Sequence, residues 1–490
     1  MKSFYNITIL FALVIVYINT HAQSITFEKT FGEPYPSFNE GGSGALQTYD
    51  SGYIVLGQEA GDGTLYMGVM LFFKTDSLGD SLWTGYAYNY FGGKFSWGYD
   101  MAITPDSGFI ITGSVSDYNS TVHDAFLLKT DRNGNKEWVR FYDSLQTFYD
   151  TTYNFGSHEV AYNVIQTNDG GFVLTGFTAN YELFLLKTDS IGNMLWLQKD
   201  TGIGKVYYTS SAVEVENGNL LVMCTTYLTA ISIDPLMYLI KTDANGNKIW
   251  GKTYSWDYGD FTRGNKLKVN IKGDYCLMGT GFYNGLPQKG EMLFIITDTA
   301  GNEKMKKNYN GDDFTFGSNF ALTNVNGYIL LGASVSLTSA DIYLVKTDSL
   351  GNVIWGKTYG SDSTMESGAT VVQTFDKGYL ICGSKSGDIY LIKTDSSGNV
   401  LSDIYEYPYR TSEKMKIYPN PFYDFTYIAF KKGNNKYLNI TDITGKMIKT
   451  IDVSSKEQLK LYKNDLGKGV YFISLNEGKV IIDTQKIVIY

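Results

Sequence analysis

The sequence predicts an all-β protein, a seven-bladed β-propeller followed by a small C-terminal β-sandwich of the immunoglobulin-like kind. Composition is the first reason, because 40 Tyr, 28 Phe and 52 Gly with only 8 Pro in 490 residues favour many short strands and tight turns. The second reason is a hairpin sequence that recurs seven times. The third is a change of pattern after residue 410, where new short apolar runs begin.

The N-terminus has the features of a secretory signal peptide. Lys2 supplies the positive start, residues 7–18 are apolar, and Ala22 precedes a cleavage site before Gln23. The apolar run is shorter than the ~20 residues that a membrane-spanning helix needs. We therefore expect residues 1–22 to be removed, and we expect no membrane span in the mature chain.

Charge and rare residues limit the classes of function. Lys and Arg total 41 against 50 Asp and Glu, a net charge of −9, so a nucleic-acid partner has no electrostatic support. Only three His and three Cys argue against a zinc site, and we predict no bound metal. Cys224, Cys276 and Cys382 fall in different repeats, which favours buried free thiols over a disulfide.

The repeated hairpin defines the propeller. Its clear copies are LFFKTDSLGDSLW (71–83), FLLKTDRNGNKEW (126–138), FLLKTDSIGNMLW (184–196), YLIKTDANGNKIW (238–250) and YLVKTDSLGNVIW (343–355), and weaker ones lie at 294–305 and 390–402. A second signature such as SGYIVLG (51–57) precedes each copy, and the period is about 54 residues. This length suits four short strands with their connections, which is one propeller blade.

The third copy illustrates the predicted blade. Strands A to D are expected at 159–167, 171–177, 182–189 and 193–200. The repeated Asp-x-x-Gly-Asn turn invites a calcium interpretation, most of all at residues 131–135 and 243–247, but an EF-hand needs glycine sixth and glutamate twelfth, and here glycine is fourth. Turn chemistry is therefore favoured.

One tryptophan per clear copy marks a structural position. Five of the seven Trp residues, at 83, 138, 196, 250 and 355, occupy the same place in the repeat. This regularity indicates packing between blades rather than a site. The Asp-x-x-Gly-x-x-x-Trp hairpin resembles the repeat of quinoprotein-like propellers, which implies the propeller fold. The sequence offers no cysteine pair or acidic metal cluster for quinone chemistry, so we predict no cofactor.

The N-terminal segment is predicted to close the ring. Residues 27–32 (FEKTFG) match residues 355–360 (WGKTYG), which form the outer strand of the sixth blade. The seventh copy has no such strand of its own. Residues 27–31 therefore complete the last blade and cover its open edge.

The tail has its own strand-like runs, expected at 425–430, 437–442, 447–453, 458–462, 470–476 and 480–490. Its spaced motif consists of Tyr418, Pro419, Asn420, Pro421, Asp442, Gly445, Lys446, Gly469, Tyr471 and Lys486. Over residues 412–490 this pattern resembles the type A-like C-terminal sorting domain of the type IX secretion system of Bacteroidota. The resemblance implies the secretion machinery as partner of residues 412–490, and a protein that is secreted or attached to the outer cell surface. The expected organisation is a signal peptide (1–22), a propeller (23–410) and a sorting domain (411–490).

The variable loops are the expected place for a ligand. In a four-stranded blade the A–B and C–D turns share one face, and the B–C and D–A loops share the other, where sequences differ between copies. Aromatic side chains with nearby carboxylates in these loops suit a glycan or a protein ligand. The candidate ligand-binding residues are Trp97, Tyr99, Tyr153, Trp256, Tyr258 and Phe314, with Trp97 and Trp256 expected to be exposed.

These observations favour an exported binding or scaffold protein over an enzyme. The alternative is a surface enzyme acting on polysaccharide, a hydrolase or lyase, with its site on the same loop face. Its available carboxylate pairs are Asp312 with Asp313 and Asp257 with Asp260. No residue is assigned a catalytic role.

Overall fold

The chain divides into two compact units, residues 1–401 and 402–490. The computed structural model describes residues 25–32, 39–60, 68–86, 90–92, 94–117, 123–142, 159–178, 180–200, 205–227, 235–256, 261–283, 289–310, 314–336, 338–361, 364–400, 415–442, 446–477 and 480–490. The predicted signal peptide lies outside the described residues.

The first unit contains seven four-stranded antiparallel sheets, which confirms the predicted propeller. Strands A to D of blades 1 to 3 are Asn39–Gln47, Tyr53–Ala60, Gly68–Thr75 and Ser81–Tyr86; Phe95–Ile103, Phe109–Ser116, Asp124–Thr130 and Lys136–Tyr142; and Val160–Gln166, Phe172–Phe177, Leu183–Thr188 and Met194–Asp200. Those of blades 4 and 5 are Lys205–Glu214, Leu220–Tyr227, Leu236–Thr242 and Lys248–Tyr254; and Phe261–Val269, Tyr275–Tyr283, Lys289–Thr297 and Glu303–Tyr309. Blade 6 has Phe314–Leu322, Tyr328–Val335, Ala340–Thr347 and Val353–Tyr359, and a 3₁₀ turn, Glu216–Gly218, joins strands A and B of blade 4.

Blade 7 is completed by the N-terminal strand, as predicted. Its strands A to C are Glu366–Gln373, Tyr379–Lys385 and Asp388–Thr394, and Phe27–Phe31 pairs antiparallel with the last of them. Phe27 faces Lys393 in this register, as Trp355 faces Lys346 in blade 6. The outer strand of blade 7 is therefore equivalent to those of the other blades, although it comes from the other end of the repeat array.

The Asp-x-x-Gly-Asn turns are built by side-chain hydrogen bonds, as turn chemistry predicts. In blade 4 the Asp243 carboxylate accepts hydrogen bonds from the backbone N–H groups of Asn245 and Asn247, at 2.9 and 2.8 Å, and from the Asn247 side chain at 2.9 Å. The bonds from Asn247 hold the pKa of Asp243 below its ordinary value. The carboxylate is thus engaged within its own hairpin.

The repeated tryptophan packs between neighbouring blades, as predicted. Gly246 in the C–D turn of blade 4 has φ of 79°, and a Cβ on it would lie 2.7 Å from the Trp196 ring of blade 3. Phe27 lies against Gly79 of blade 1 in the same way, so it takes the place of tryptophan where the ring closes. Only glycine fits both the backbone angle and the close ring contact.

A buried lysine recurs in strand C of six blades, which we call the regular blades. In blade 3 the Lys187 ammonium lies 2.9 Å from Asp169 of the A–B turn and donates to the carbonyl oxygen of Thr188. Blade 5 differs, because Ile296 occupies the lysine position in the strand register. The six lysines are Lys74, Lys129, Lys187, Lys241, Lys346 and Lys393.

The second unit is a β-sandwich, as predicted. One sheet contains Lys416–Tyr418, Phe425–Ala429 and Gln458–Tyr462, and the other contains Met447–Asp452, Lys436–Asp442, Gly469–Glu477 and Val480–Ile489 in that spatial order. A 3₁₀ turn, Lys463–Asp465, follows the last strand of the first sheet. Buried apolar side chains of both sheets form one core, which includes Ile428, Leu438, Leu461, Ile473 and Ile487.

Candidate functional site

The innermost strands of the propeller surround a central channel. A cavity of about 410 Å³ is lined by residues from strand A of all seven blades. Each of these strands carries a β-bulge near its middle, for example between Gly98 and Asp100 and between Gly264 and Lys266. The bulges break the alternation of side chains, so a residue such as Tyr99 or Asn265 is left without a partner in the neighbouring strand.

A second cavity of about 410 Å³ lies where the channel approaches the loop face. Its lining comes from blades 5, 6 and 7 and combines ring faces with polar groups. Phe282 and Phe316 supply the ring faces, and Arg263, Asn265 and Ser318 supply polar groups. Apolar walls with a few polar groups are typical of ligand sites.

Two groups of stacked aromatic rings occupy the loop side of the propeller. The first row joins blades 2 and 3: the Tyr99 and Tyr162 rings are 4.7 Å apart, Tyr162 and Phe177 are 5.3 Å apart, and Phe177 and Tyr181 are 6.0 Å apart. All four side chains are partly exposed. Burial raises the pKa of the Tyr99 phenol, so this group stays a neutral hydrogen-bond donor.

The second row joins blades 5 and 6. Phe261 and Phe282 stack at 4.7 Å, Phe282 lies 5.4 Å from Phe316, and Phe316 lies 4.7 Å from Phe314. All four rings are partly exposed, and Phe282 and Phe316 also line the cavity near the loop face. Sequence analysis had singled out only Phe314 of this row.

Trp97 and Tyr99 lie on a strand and not in a loop, contrary to their expected placement. Strand A of blade 2 begins at Phe95 because a run of aromatic residues pairs well in a half-buried strand. Trp97 is partly buried, with its indole against Gly68 of blade 1 and 4.9 Å from the His123 ring. It therefore packs between two blades, whereas Tyr99 joins the first aromatic row.

The expected exposure of Trp256 is wrong. Its side chain is only 4% exposed and belongs to the apolar core between blades 4 and 5. The indole fills the space beside Gly281, where a Cβ would collide with the ring. A large ring that follows strand D is thus used to seal the blade, and Trp256 is not available to a ligand in this arrangement.

The remaining candidates differ in what can be said of them. Phe314 is the first residue of strand A of blade 6 and is partly exposed in the second aromatic row. Tyr153 and Tyr258 lie outside the described residues, as do the two aspartate pairs of the enzyme hypothesis. Among the described residues, the carboxylates of Asp341 and Glu366 both lie beside Gly360. Neither residue lines the two channel cavities.

The described ranges contain neither a metal-binding cluster nor a membrane-spanning helix. No cluster of three or more His, Cys, Asp or Glu side chains suited to a metal ion occurs there. Nor does any helix in those ranges have the length and apolar character required to cross a membrane. Cys224, Cys276 and Cys382 are buried thiols outside any disulfide, as predicted, and burial raises the pKa values of Cys276 and Cys382 to about 12.

Two lysines that line the central channel were not predicted from the sequence. Lys266 and Lys268 on strand A of blade 5 line the channel cavity. Strand A carries no repeated motif, but a spacing signal exists: residues 42, 98, 161, 264, 317 and 368 each pair with a glycine of strand B that follows 15 positions later. Counting two and four residues onward from them would have found both lysines.

The sorting-domain motif of the tail connects the first strand of the sandwich to its last strand. Asn420 donates from its side chain to the Lys486 carbonyl oxygen at 2.7 Å and accepts from the Val488 N–H at 3.0 Å. The Pro419 carbonyl oxygen accepts from Thr426 at 2.7 Å. Tyr418 and Pro421 flank these groups on the same short segment.

The other motif residues close turns. Asp442 accepts a hydrogen bond from the Lys446 N–H at 3.1 Å, and the Tyr471 phenol donates to the Leu466 carbonyl oxygen at 2.5 Å. Gly469 begins the strand that carries Tyr471, while Gly445 lies outside the described residues. The motif is therefore largely structural within the sandwich.

Comparisons with known proteins identify the tail. Residues 416–490 match the family model described as "Secretion system C-terminal sorting domain". No curated protein matches the chain by sequence. The match places the family resemblance in the C-terminal unit.

Solved structures similar to the chain include PorZ, a bacterial surface component of the type-IX secretion system of Porphyromonas gingivalis, with 12% identity and a TM-score of 0.42 over 89% of this chain and 58% of PorZ. The chain thus spans little more than half the length of PorZ. A polysaccharide lyase PL25 ulvan lyase has 11% identity and a TM-score of 0.48 over 75% of this chain and 96% of the lyase. A protein of unknown function from Dyadobacter fermentans has 9% identity and a TM-score of 0.41 over 75% and 97% of the two chains.

The propeller is identified by the seven four-stranded sheets of this chain, whereas the tail is identified by its sequence match. That match starts at the first strand of the sandwich and runs to the last residue. The C-terminal unit is a sorting domain of the type IX secretion system, and the protein is exported to the cell surface or secreted from it.

Proposed function

We propose that the exported propeller is a binding module that holds its ligand on the loop face, at the mouth of the central channel. The pair of aromatic rows supports this proposal, because their rings are partly exposed. Two rings of the second row, Phe282 and Phe316, also line a cavity of about 410 Å³. Partly exposed stacked rings keep apolar surface available for a partner.

A carbohydrate is the ligand class that best suits this chemistry. Ring faces stack on the C–H face of a sugar, and the Arg263, Asn265 and Ser318 side chains of the same cavity supply groups for its hydroxyls. A protein partner would use the same apolar surface without needing the cavity.

The test is a glycan and polysaccharide array with the purified full chain, which records both bound and released sugar. We expect retained binding, no release, and a loss of about tenfold or more in Phe282→Ala and in Tyr162→Ala. Tyr49→Ala is the matched control, because Tyr49 is 70% exposed on the opposite, turn-carrying face. Binding that is equal in all variants would contradict the loop-face site, and silence on the array would favour a protein partner.

The alternative function is a polysaccharide-active enzyme. Its proposed carboxylate pairs, Asp312 with Asp313 and Asp257 with Asp260, belong to the loops that precede strand A of blades 6 and 5. Released products that disappear in Asp312→Asn with Asp313→Asn would place this alternative ahead of the binding module.

The export route completes the proposal. We infer that residues 1–22 are cleaved, that residues 23–410 form the exported propeller, and that residues 412–490 engage the type IX machinery. Deletion of residues 412–490 should abolish appearance of the protein at the cell surface and in the medium, measured by surface labelling and immunoblotting. Unchanged levels would exclude a tail-directed route.

A further inference from the structure

The channel wall has two levels that repeat around the ring. The pairing of strands A and B makes seven positions equivalent at each level. At the first level these are Gly44, Asp100, Asn163, Ser211, Lys266, Asn319 and Thr370. At the second level, two residues further along each strand, they are Leu46, Ala102, Ile165, Val213, Lys268, Ala321 and Val372.

Polar side chains of the first level bond sideways to the next blade. Asp100 accepts from the Asn163 side chain and from the Val164 N–H, and Asn163 accepts from the Ala212 N–H at 2.7 Å. Thr370 accepts from the Ala45 N–H at 3.1 Å across the closure between blades 7 and 1. These bonds explain why polar residues line a channel without any ligand.

Lys266 is an exception at this level, because its ammonium makes no hydrogen bond or ion pair with a described residue. Asn319 and Ser211 on the flanking blades, in contrast, bond to Ala369 and Leu267 backbone oxygens at 3.2 and 3.3 Å. The inter-blade bond that the other polar side chains make is therefore missing at Lys266. Its charge faces the cavity without a structural use.

Lys268 breaks the second level more sharply, since the other six equivalent positions are apolar. Its ammonium too has no hydrogen-bond or ion-pair partner among the described residues. Burial, together with the positive charge of Lys266, lowers the pKa of Lys268 to about 8, while Asp100 acts in the opposite direction. Among the described residues that line the cavity, those with a charge are Asp100, Lys266 and Lys268. Lys268 is partly exposed, and a partly buried charge without a partner is costly to keep unless something binds it.

We propose that the channel binds a small organic anion between the ammonium groups of Lys266 and Lys268. The Asp100 carboxylate is held by hydrogen bonds to blade 3, and its single negative charge offsets only one of the two lysine charges, so a net positive charge remains in the channel. Leu46, Ile165 and Val213 provide apolar walls for the body of the ligand. The shared chemistry is a carboxylate, phosphate or sulfate group on a body that fits a cavity of about 410 Å³. The site is independent of the loop-face ligand, because its residues lie further along strand A, toward the A–B turns.

Isothermal titration of the full chain tests this site with probes that share one sugar body. Glucuronate, glucose 6-phosphate and glucose 6-sulfate distinguish the three anionic groups, and glucose is the neutral control. We expect at least one anion to bind about tenfold or more tightly than glucose. At about pH 8 binding should take up protons, because the anion favours the charged form of Lys268, and this uptake should vanish near pH 6. Titrations in two buffers of different ionisation enthalpy measure the uptake.

Variants decide whether the lysines hold the anion. Lys266→Met and Lys268→Met should each weaken binding about tenfold or more, while Lys272→Met, which removes an exposed charge from the same blade, should leave it unchanged. Lys268→Met should melt no lower than the parent protein, since it removes a partly buried charge that has no partner. Equal binding of anions and glucose, equal affinity in Lys268→Met, or a clear loss of thermal stability in that variant would overturn the proposal.

Discussion

Blade 5 and the regular blades differ in the ion pairs that connect their strands and turns. In blade 3 a lysine on strand C meets an aspartate of the A–B turn, Lys187 with Asp169 at 2.9 Å. In blade 5 Ile296 replaces the lysine, and Asp274 stands where blades 1, 2, 3 and 7 have a glycine beside the lysine ammonium. Asp274 turns instead to Lys304 on strand D, with both carboxylate oxygens within 2.9 Å of its ammonium.

The difference teaches that charge and space change together in this repeat. The same blade has Met305 where regular blades 1 to 4 and 6 have tryptophan, and a cavity of about 260 Å³ opens beside it between blades 5 and 6. Ile271, Ile296 and Tyr328 line this cavity with the Asp274 carboxylate. Blade 5 also carries both channel lysines. Several departures from the repeat therefore occur in blade 5, and the pairing of Asp274 with Lys304 compensates one of them.

The largest expected effect comes from the inter-blade ring. Trp196→Ala should lower the free energy of unfolding by about 3 kcal/mol, because the ring fills the contact with Gly246 and cannot be replaced by relaxation. Met305→Ala, at the equivalent position of blade 5, should cost below about 2 kcal/mol, since a cavity already lies beside it. Urea unfolding of the full chain measures both losses. Equal losses would show that the cavity does not loosen this sector.

The second effect distinguishes the two charge arrangements. Asp376→Asn should cost about 2–3 kcal/mol, because Lys393 of blade 7 is 1% exposed and would keep a buried charge without its carboxylate. Asp274→Asn should cost under about 1 kcal/mol, because Lys304 is half exposed and water can replace the carboxylate. Thermal melts of the two variants under one buffer condition give the comparison. A larger loss in Asp274→Asn would reverse the assignment of which pair is the buried one.

The smallest effect is a dependence on acid that belongs to the regular blades. Burial acts to raise the pKa values of Asp106 and Asp169, but hydrogen bonds from Lys129 and Thr104, and from Thr167 and Lys187, lower both to about 2. Because these folded-state pKa values lie below the ordinary value of 3.8 for aspartate, the stabilisation that the two carboxylates provide is present above that pH and is lost as the pH falls toward 2.

Both carboxylates are more than half exposed, so each contributes below about 1 kcal/mol. The urea midpoint should decrease when the pH is lowered from about 5 to about 3. This decrease should be smaller in the double variant Asp106→Asn with Asp169→Asn than in the parent chain. Blade 5 has Lys272 at the equivalent position and takes no part in this loss. An identical decrease in the two proteins would exclude these pairs as the acid-labile groups.

Much of the fold could be read from the sequence because its signals are local. The turns from Asp to Asn, the inter-blade tryptophans and the match of residues 27–32 to 355–360 each report a contact within one repeat unit or between equivalent ones. Strands B, C and D carry these motifs, so their bounds were predicted closely. In the third blade the predicted and observed strands differ by one residue at most at either end.

The candidate site was harder to predict because it depends on strand A and on burial. A bulge in each strand A disrupts alternation, so nothing in the local sequence says which side chain enters the channel. Tyr99 and Phe314 were found through their aromatic character, but the same character made Trp256 look exposed although it seals the core. The charge of Lys268 acquires meaning only when the pairing register shows six apolar equivalents.

The strand that closes the ring is the first of the propeller to be synthesised and the last to find its partner. Phe27–Phe31 cannot pair until residues 388–394 have been made, and until the two segments pair the strand Asp388–Thr394 has an open edge. The order of synthesis thus opposes early completion of the fold, because closure joins segments separated by almost the whole propeller. A chain that ends before residues 388–394 lacks the partner of Phe27–Phe31 and cannot close this ring. A closed propeller therefore requires that translation and export have carried the chain through all seven blades.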